Sequence, residues 1–340
     1  MVPDDPLTSM VCQRAHFDHR WFRRWQSTLT GVAKSDAETL LHRKSWEWSV
    51  IAQALATRGM LQPQRRGCGF AVGREPLASL FAARGVDVLA TDLAADAQDA
   101  AAWREGGQHA ADLDALFCPE LVDRACFDAR VKFLPQDMRA LDHGRLGTFD
   151  FIWSACSFEH LGTLEAGLQF VLDSTDLLRP GGIAVHTTEI NLSSLDATIE
   201  TGGSVIYRQR DIRALEARLR EFGCALEPPE FDGGTAPEDI EYDVPPYYEH
   251  GRHHIKLLLD GYVTTSMLLI IHKGRTPPAP RSNRPILTTI KATAPAPDPE
   301  IEALRSELAA LRAQLTRVET SRSWRLTAPL RRTASLLRGA

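Results

Sequence analysis

Residues 67–92, GCGFAVGREPLASLFAARGVDVLATD, constrain the fold more than any other part of the chain. A short strand runs into a turn of small residues, a helix opens with Pro76 at its first position, and a second strand ends in Asp92. Small residues let the backbone approach a ligand, a helix N-terminus offers a partial positive end, and a carboxylate at a strand tip can accept both hydroxyls of a ribose. The segment implies a nucleoside ligand.

The same alternation runs on either side of it. Apolar periodicity predicts a helix over 42–57, strands over 66–72, 86–91, 131–135, 149–155 and 183–188, and helices over 76–84, 164–178 and 211–222. Ile212, Leu215, Leu219 and Phe222 recur on one face of the last helix. RPGG at 179–182 reads as the turn into the fifth strand, and two final strands, 254–259 and 262–271, meet at Asp260-Gly261, a two-residue hairpin turn. The expected fold is α/β: a seven-stranded, mostly parallel sheet ending in an antiparallel hairpin, with helices on both faces. That ending departs from the usual dinucleotide-binding fold, whose sixth strand arrives by another crossover.

Beyond the sheet the chain changes character. Residues 276–299 hold seven of the twenty prolines and predict an extended linker. Ile301, Leu304, Leu308, Leu311, Leu315 and Val318 then recur at alternating spacings of three and four. This heptad seam is short, so its helix needs a partner or a docking face. Residues 321–340 carry five arginines and no acid, interleaved with Trp324, Leu326, Leu330, Leu336 and Leu337. The expected divisions are a helical N-terminal extension (1–40), the α/β domain (41–275), the linker (276–299), a coiled-coil helix (300–320) and a basic amphipathic tail (321–340).

Charge follows the same division. Residues 276–340 hold eleven Lys/Arg and five Asp/Glu, a net +6, which leaves −11 for residues 1–275. The globular part therefore offers nothing to nucleic acid, while the tail suits an anionic membrane surface or an acidic partner. Six cysteines without a CxxC pair suggest reduced thiols rather than a zinc ribbon or a disulfide framework. The first residues, MVPDDPLTSM, have acids where a signal peptide has bases, and no stretch approaches a membrane span. A cytoplasmic protein is expected, peripheral at the inner face of the membrane where the tail meets lipid.

Spacing separates the nucleoside cofactors. The nicotinamide fingerprint GxGxxG, started at Gly67 or Gly69, puts Val72 or Arg74 where its third glycine belongs. The segment resembles instead the first motif of the Rossmann-like S-adenosylmethionine-dependent methyltransferases, an apolar pair and an acid before GxGxG. Gly67-Cys68-Gly69 on that GxG leaves 25 residues to Asp92, whereas Ala71-Val72-Gly73-Arg74-Glu75 on GxGxG leaves 19 from Gly73, the usual gap. The second alignment sets Gly69 where the acid usually stands, and Ala71 and Glu75 where glycines stand. Asp137-Met138 resemble the pair that holds the adenine, FDFIWSACSFEHLG (149–162) the fourth-strand motif FDxVxSxxxxEHL, and LLRPGGIAVHTTE (177–189) the following helix, turn and fifth strand. HRKSWEWSVIAQAL looks like the entry helix of a bacterial subgroup linked to surface polysaccharides, and SRSWRLTAPLRR (321–332) is similar to an element that follows coiled coils in glycosyltransferases and methyltransferases of that assembly. The resemblance covers residues 40–273 and implies S-adenosyl-L-methionine as cofactor, with Gly69, Ala71, Gly73, Asp92, Asp137, Met138 and Ser154 binding it. It also implies O-methylation of a sugar or glycan-linked acceptor in cell-surface polysaccharide biosynthesis, and a coiled-coil partner that is either a second copy or another protein of that assembly.

Methyl transfer is an in-line displacement on a sulfonium, so the protein mainly aligns the acceptor and excludes water; orientation contributes on the order of 7–11 kcal/mol. A sugar hydroxyl also needs a base. His160 is the first candidate, since an imidazole near its reference pKa of about 6.5 accepts a proton at neutral pH. Glu159 and Glu189, at the tips of the fourth and fifth strands, are the other catalytic candidates, although a Glu-His pair opening a helix also serves as a cap or a core hydrogen bond. Asn191, Tyr248 and His254 lie on two long loops, 191–209 and 227–254, and are the candidate acceptor contacts, with Gly202-Gly203 a hinge in the first. Trp46 and Trp153 either face the sulfonium or fill the core. The histidines near Asp243 and Glu249 match no zinc spacing, so no metal is expected. Two other readings compete: a catalytically silent scaffold of the same fold acting through its coiled coil, and an NAD-dependent dehydrogenase, which the missing third glycine and the hairpin disfavour.

Overall fold

Alternation of apolar residues along the strands sorts the sheet's side chains into two cores. The computed structural model describes residues 6–29, 41–94, 97, 107–249 and 251–274. All of these belong to the first of the two units into which the chain divides, Met1–Ala292 and Thr293–Ala340. The expected linker, coiled coil and basic tail lie outside the described residues. The described elements are β1 (Met10–Val11), α1 (Arg20–Leu29), α2 (Arg43–Thr57), β2 (Arg66–Gly69), α3 (Leu77–Ala82), β3 (Asp87–Asp92), α4 (Arg124–Arg130), β4 (Val131–Pro135), β5 (Phe149–Ala155), α5 (Leu164–Thr175), β6 (Leu178–Asn191), α6 (Gln209–Glu221), β7 (Cys224–Leu226), β8 (Leu257–Leu259) and β9 (Tyr262–Lys273), besides shorter single turns.

Strands β2 to β6 pair in parallel in the order β4-β3-β2-β5-β6, and β9 lies antiparallel beside β6. Phe151, Trp153, Val185, Leu268 and Ile270 point to one face, where α1 to α4 cover them. Ile152, Ala184, Met267, Leu269 and Ile271 point to the other, under α5 and α6. Strands covered on both faces read as near-continuous apolar runs, which is why these segments were legible.

Among the described residues the sheet has nine strands rather than the seven expected. The outer edge of β9 is covered in turn by β7, β1 and β8, all antiparallel to it. Two- and three-residue strands carry no periodicity, so β1 and β7 left no mark in the sequence, and the N-terminal extension is not purely helical. The RPGG segment is also not a turn before the fifth strand. It lies inside β6 as a bulge, where the register jumps from Phe149↔Leu178 to Phe151↔Ile183. Among the described residues no helix is long and apolar enough to cross a membrane.

From β2 the chain moves outward through β3 to β4, then returns to the other side of β2 with β5. The crevice at the carboxyl ends of β2 and β5 is therefore the point where strand order reverses, the place where open α/β sheets hold ligands.

Candidate active site

A cavity of about 390 Å³ opens at that crevice. The segments that follow β2, β3, β4 and β5 all reach it, and Lys44 and Trp48 of α2 close one side. Two of its lining residues, Ala71 and Cys156, hold left-handed backbone at φ +46°, costly for residues with a side chain and frequent at ligand sites. Gly73 (φ +53°) requires glycine twice over, because a Cβ there would also stand 2.7 Å from the Gln108 carbonyl.

Asp92, at the tip of β3, lies in the cavity wall and is only 7% exposed. Its carboxylate accepts the backbone N–H groups of Leu93 (2.8 Å), Ala110 (3.1 Å) and Gly73 (3.2 Å). Burial raises its pKa, and these three amides oppose the shift. A carboxylate has about four acceptor positions, so three amides leave room for one ribose hydroxyl rather than two. A second acceptor stands close by. His109 lines the cavity and uses one ring nitrogen, Nε2, to donate to the Leu93 carbonyl at 2.9 Å. Its buried Nδ1 then carries a lone pair without a partner. Sequence reasoning missed His109, which belongs to no motif.

Asp137 and Met138 follow β4 and both line the cavity. Met138 is buried, whereas Asp137 is gripped by Arg139 through both carboxylate oxygens (2.7–3.1 Å). Burial works against ionisation there, but Arg139 outweighs it and the pKa is lowered. Ala71 also lines the cavity. Gly69 and Ser154 do not, which corrects their expected role. A Cβ on Gly69 would meet the Trp153 ring at 2.4 Å and Val72 at 2.5 Å, so that glycine makes room for core packing. Ser154 is fully buried and bonded to His186 Nδ1 at 2.8 Å.

Of the three catalytic candidates only His160 lines the cavity. Its Nδ1 donates to the Gly203 carbonyl at 2.8 Å, which leaves the lone pair on Nε2. Burial lowers its pKa below the ordinary value, with the Gly203 bond and Glu189 opposing. Gly202 in turn donates to the Gly162 carbonyl at 2.9 Å, so the expected hinge is anchored to the segment that carries the histidine.

Glu159 and Glu189 sit behind the cavity in a buried charge cluster with Arg43, Lys44 and Glu47 from α2. Glu189 is held by Arg43 and accepts Thr264 Oγ1 at 2.8 Å. Burial alone would raise the Glu47 carboxyl, but Lys44 and Arg43 hold it at about 2. Cys156, Glu159 and Glu189 bring ligand-type atoms within 4.8 Å of one another. The thiol, however, is pushed well above its ordinary pKa by burial and the nearby carboxylates, and Arg43 already occupies Glu189. The cluster is balanced by the protein's own cations.

Glu159 is 0% exposed; one carboxyl oxygen meets Thr188 Oγ1 at 3.2 Å and the other has no partner. Burial first, then Glu189, pushes its pKa to about 8 from 4.5. At neutral pH it is a neutral acid facing the core, not a base. Because the folded-state value is the higher one, its contribution to stability is full below about pH 4.5 and is lost as pH rises through about 8, by at most about 1.4 kcal/mol per pH unit. Urea denaturation at pH 5, 6.5 and 8 should show wild-type stability falling and Glu159→Gln falling less steeply. Parallel slopes would refute the buried-acid assignment.

Asn191, Tyr248 and His254 do not line the cavity. Asn191 is buried and caps its own loop, accepting Ser193 and Ser194 N–H groups at 2.9 Å and donating to the Ala197 carbonyl at 3.1 Å. It is not positioned to touch an acceptor. Tyr248 is 63% exposed and stacks on His42, with ring centroids 5.8 Å apart at 9°. His254 lies beneath, bonded to Asp243 at 2.8 Å, and its carbonyl accepts the Arg43 N–H at 2.9 Å. This aromatic stack therefore abuts the first turn of α2, next to Lys44.

No protein-family model and no curated protein matches the chain. Solved structures do. It is similar to magnesium protoporphyrin IX methyltransferase from Synechocystis PCC 6803 with bound SAH, at 15% identity over 76% of this chain and 97% of that one, with a TM-score of 0.42. A putative sarcosine dimethylglycine methyltransferase from Galdieria sulphuraria matches at 14% identity over 68% and 85% of the two chains, with a TM-score of 0.41. The 1,6-didemethyltoxoflavin-N1-methyltransferase of Burkholderia thailandensis matches at 16% identity over 80% and 94%, with a TM-score of 0.39.

Proposed function

We propose that the chain is an S-adenosylmethionine-dependent methyltransferase that O-methylates a sugar or glycan-linked acceptor. The observation that carries this reading is the cavity at the strand-order reversal, with the Asp92 carboxylate in its wall beside Gly73, whose left-handed backbone and close approach to the Gln108 carbonyl leave no room for a side chain. The residues present fit an adenosyl group. Asp92 and the unpartnered Nδ1 of His109 supply one ribose acceptor each, Met138 gives an apolar face for the base, and Asp137 accepts its amine once Arg139 moves aside. When bound, the cofactor supplies an electrophilic methyl on a sulfonium.

The chain's own part is orientation and proton removal. His160 presents Nε2 as the base toward the acceptor hydroxyl, and Gly203 holds the ring in that tautomer. Tyr248, exposed and backed by His42, offers a ring on which a sugar can stack. In this reading residues 300–340 tether the enzyme, through a coiled-coil partner or an anionic membrane surface, to surface-polysaccharide assembly. The silent scaffold remains the second reading, favoured by the Asp137–Arg139 pair that closes the adenine acceptor. Calorimetry separates the two. S-adenosylmethionine and S-adenosylhomocysteine should both give heat and NAD⁺ none, and labelled methyl from S-adenosylmethionine should pass to oligosaccharides with free hydroxyls. A folded protein that gives no heat with either adenosyl compound is the scaffold.

A further inference from the structure

Helix α1 turns Trp21, Phe22, Trp25 and Leu29 into the core and leaves Arg20, Arg23 and Arg24 exposed. Its ten residues include no acid, so the net negative charge of the globular part hides a local excess of positive charge. Arg23 reaches Asp18 at 3.5 Å. Arg24 has an amide partner instead. It donates to Gln53 Oε1 of α2 at 2.9 Å, and the Trp25 indole N–H donates to the same oxygen at 2.8 Å.

Arg84, which follows α3, comes to the same indole. Its guanidinium carbon lies 5.1 Å from a Trp25 ring centroid, and that of Arg24 lies 5.9 Å away. Trp25 is 1% exposed while both arginines are exposed, so one buried ring steers two guanidinium groups at the surface. Neither has a carboxylate within ion-pair distance among the described residues, and Arg84 has no hydrogen-bond partner there. Partial burial, then the like charge of Arg24, lowers the Arg84 pKa. Covering an indole needs only an aliphatic stem, and the second guanidinium adds repulsion to it. An anion removes that repulsion. A carboxylate has two oxygens and fits the fork of one guanidinium, whereas the tetrahedral oxygens of a phosphate can accept from two.

From this placement we propose that Arg24 and Arg84 form an anion site that takes a phosphate group, on the helical face of the domain and apart from the cavity. Gln53, which holds Arg24, stands nine residues beyond Lys44 on α2, about 14 Å along the helix. The site therefore anchors a ligand without entering the cavity, and it stands or falls independently of the cofactor.

The test is thermal unfolding and calorimetry of the full chain, Arg24→Gln and Arg84→Gln with sodium pyrophosphate, against sodium chloride at equal ionic strength. Both positions are exposed, so the variants keep the core, which circular dichroism verifies. Pyrophosphate should raise the unfolding temperature of wild type above the chloride control, because a ligand that binds only the folded state stabilises it. Each substitution should weaken pyrophosphate binding about tenfold to a hundredfold, the loss of one charge-assisted contact. If pyrophosphate acts on wild type no more than chloride does, or acts undiminished on both variants because other arginines hold it, the site is wrong. Sedimentation with phosphatidylcholine vesicles containing phosphatidylglycerol then names the source of the phosphate. Binding about fivefold weaker in Arg84→Gln than in wild type identifies a lipid headgroup, and equal binding identifies a free phosphate.

Discussion

Asp92→Ala should lose at least about a hundredfold in affinity for S-adenosylhomocysteine and several kcal/mol of stability, the second effect arising without any ligand. The carboxylate joins three separate stretches of chain: the β3 terminus through Leu93, the glycine turn through Gly73, and the 107–110 segment through Ala110. Hydrogen bonds to a charged acceptor contribute about 1.5–3 kcal/mol each, and deleting the acceptor leaves three donors without a protein partner. The cavity is shaped by the same three stretches, so the proposed adenosyl subsite opens when they separate. Asp92→Asn divides the two effects. Its carbonyl oxygen keeps part of the amide network, so stability should recover further than affinity, because an amide nitrogen cannot accept a ribose hydroxyl. Calorimetry and urea denaturation on the three proteins measure both quantities. If Asp92→Ala binds S-adenosylhomocysteine within threefold of wild type, the ribose sits elsewhere and the adenosyl assignment of the cavity is lost.

Much of this geometry is legible in the amino-acid sequence, for identifiable reasons. β5 matches its expected span because a parallel strand covered on both faces reads as a near-continuous apolar run, and β4, at the sheet edge, matches from Val131, Phe133 and Leu134. Gly73 and Asp92 fall at the cavity because the tight turn and the following strand tip are local features, set by backbone conformation and by short spacing. What stayed hidden depends on contacts distant in sequence. Gly69 looks like a ligand glycine until Trp153, from a neighbouring strand, is seen above it. Glu159 and His160 are adjacent, yet the 3-10 turn Phe158–His160 sends one side chain inward and the other to the cavity, a difference that spacing does not carry. Lys44, Glu75 and His109 come from a helix, a turn and a loop that share no pattern, and only folding brings them to one wall system. α3, Leu77–Ala82, is also shorter than its apolar pattern suggests, so its terminus adds less positive field than expected and side chains and amides take that part.

At His160 the expected result is a loss of about 10²–10⁴-fold in kcat with affinity for S-adenosylhomocysteine unchanged, on any sugar acceptor that wild type methylates. Two features set the imidazole up as a base. The Gly203 carbonyl accepts a hydrogen bond from Nδ1–H, which keeps the proton on that nitrogen, and burial keeps the folded-state pKa below the ordinary 6.5, so the ring is neutral at pH 7. Activity should therefore be flat across neutral pH and decline on the acid side as the ring protonates through its lowered pKa. His160→Gln removes the base and keeps an N–H donor for Gly203, so the acid limb should vanish with the turnover while the loop stays anchored. Neither carboxylate nearby can take over, since Glu159 is a buried neutral acid and Glu189 is committed to Arg43 and Thr264. A variant that raises KM and lowers thermal stability at unchanged kcat would reduce His160 to holding its loop. In that case the nucleophile needs no base, as holds for a phosphate or carboxylate acceptor, and the sugar-hydroxyl part of the proposal fails while methyl transfer survives.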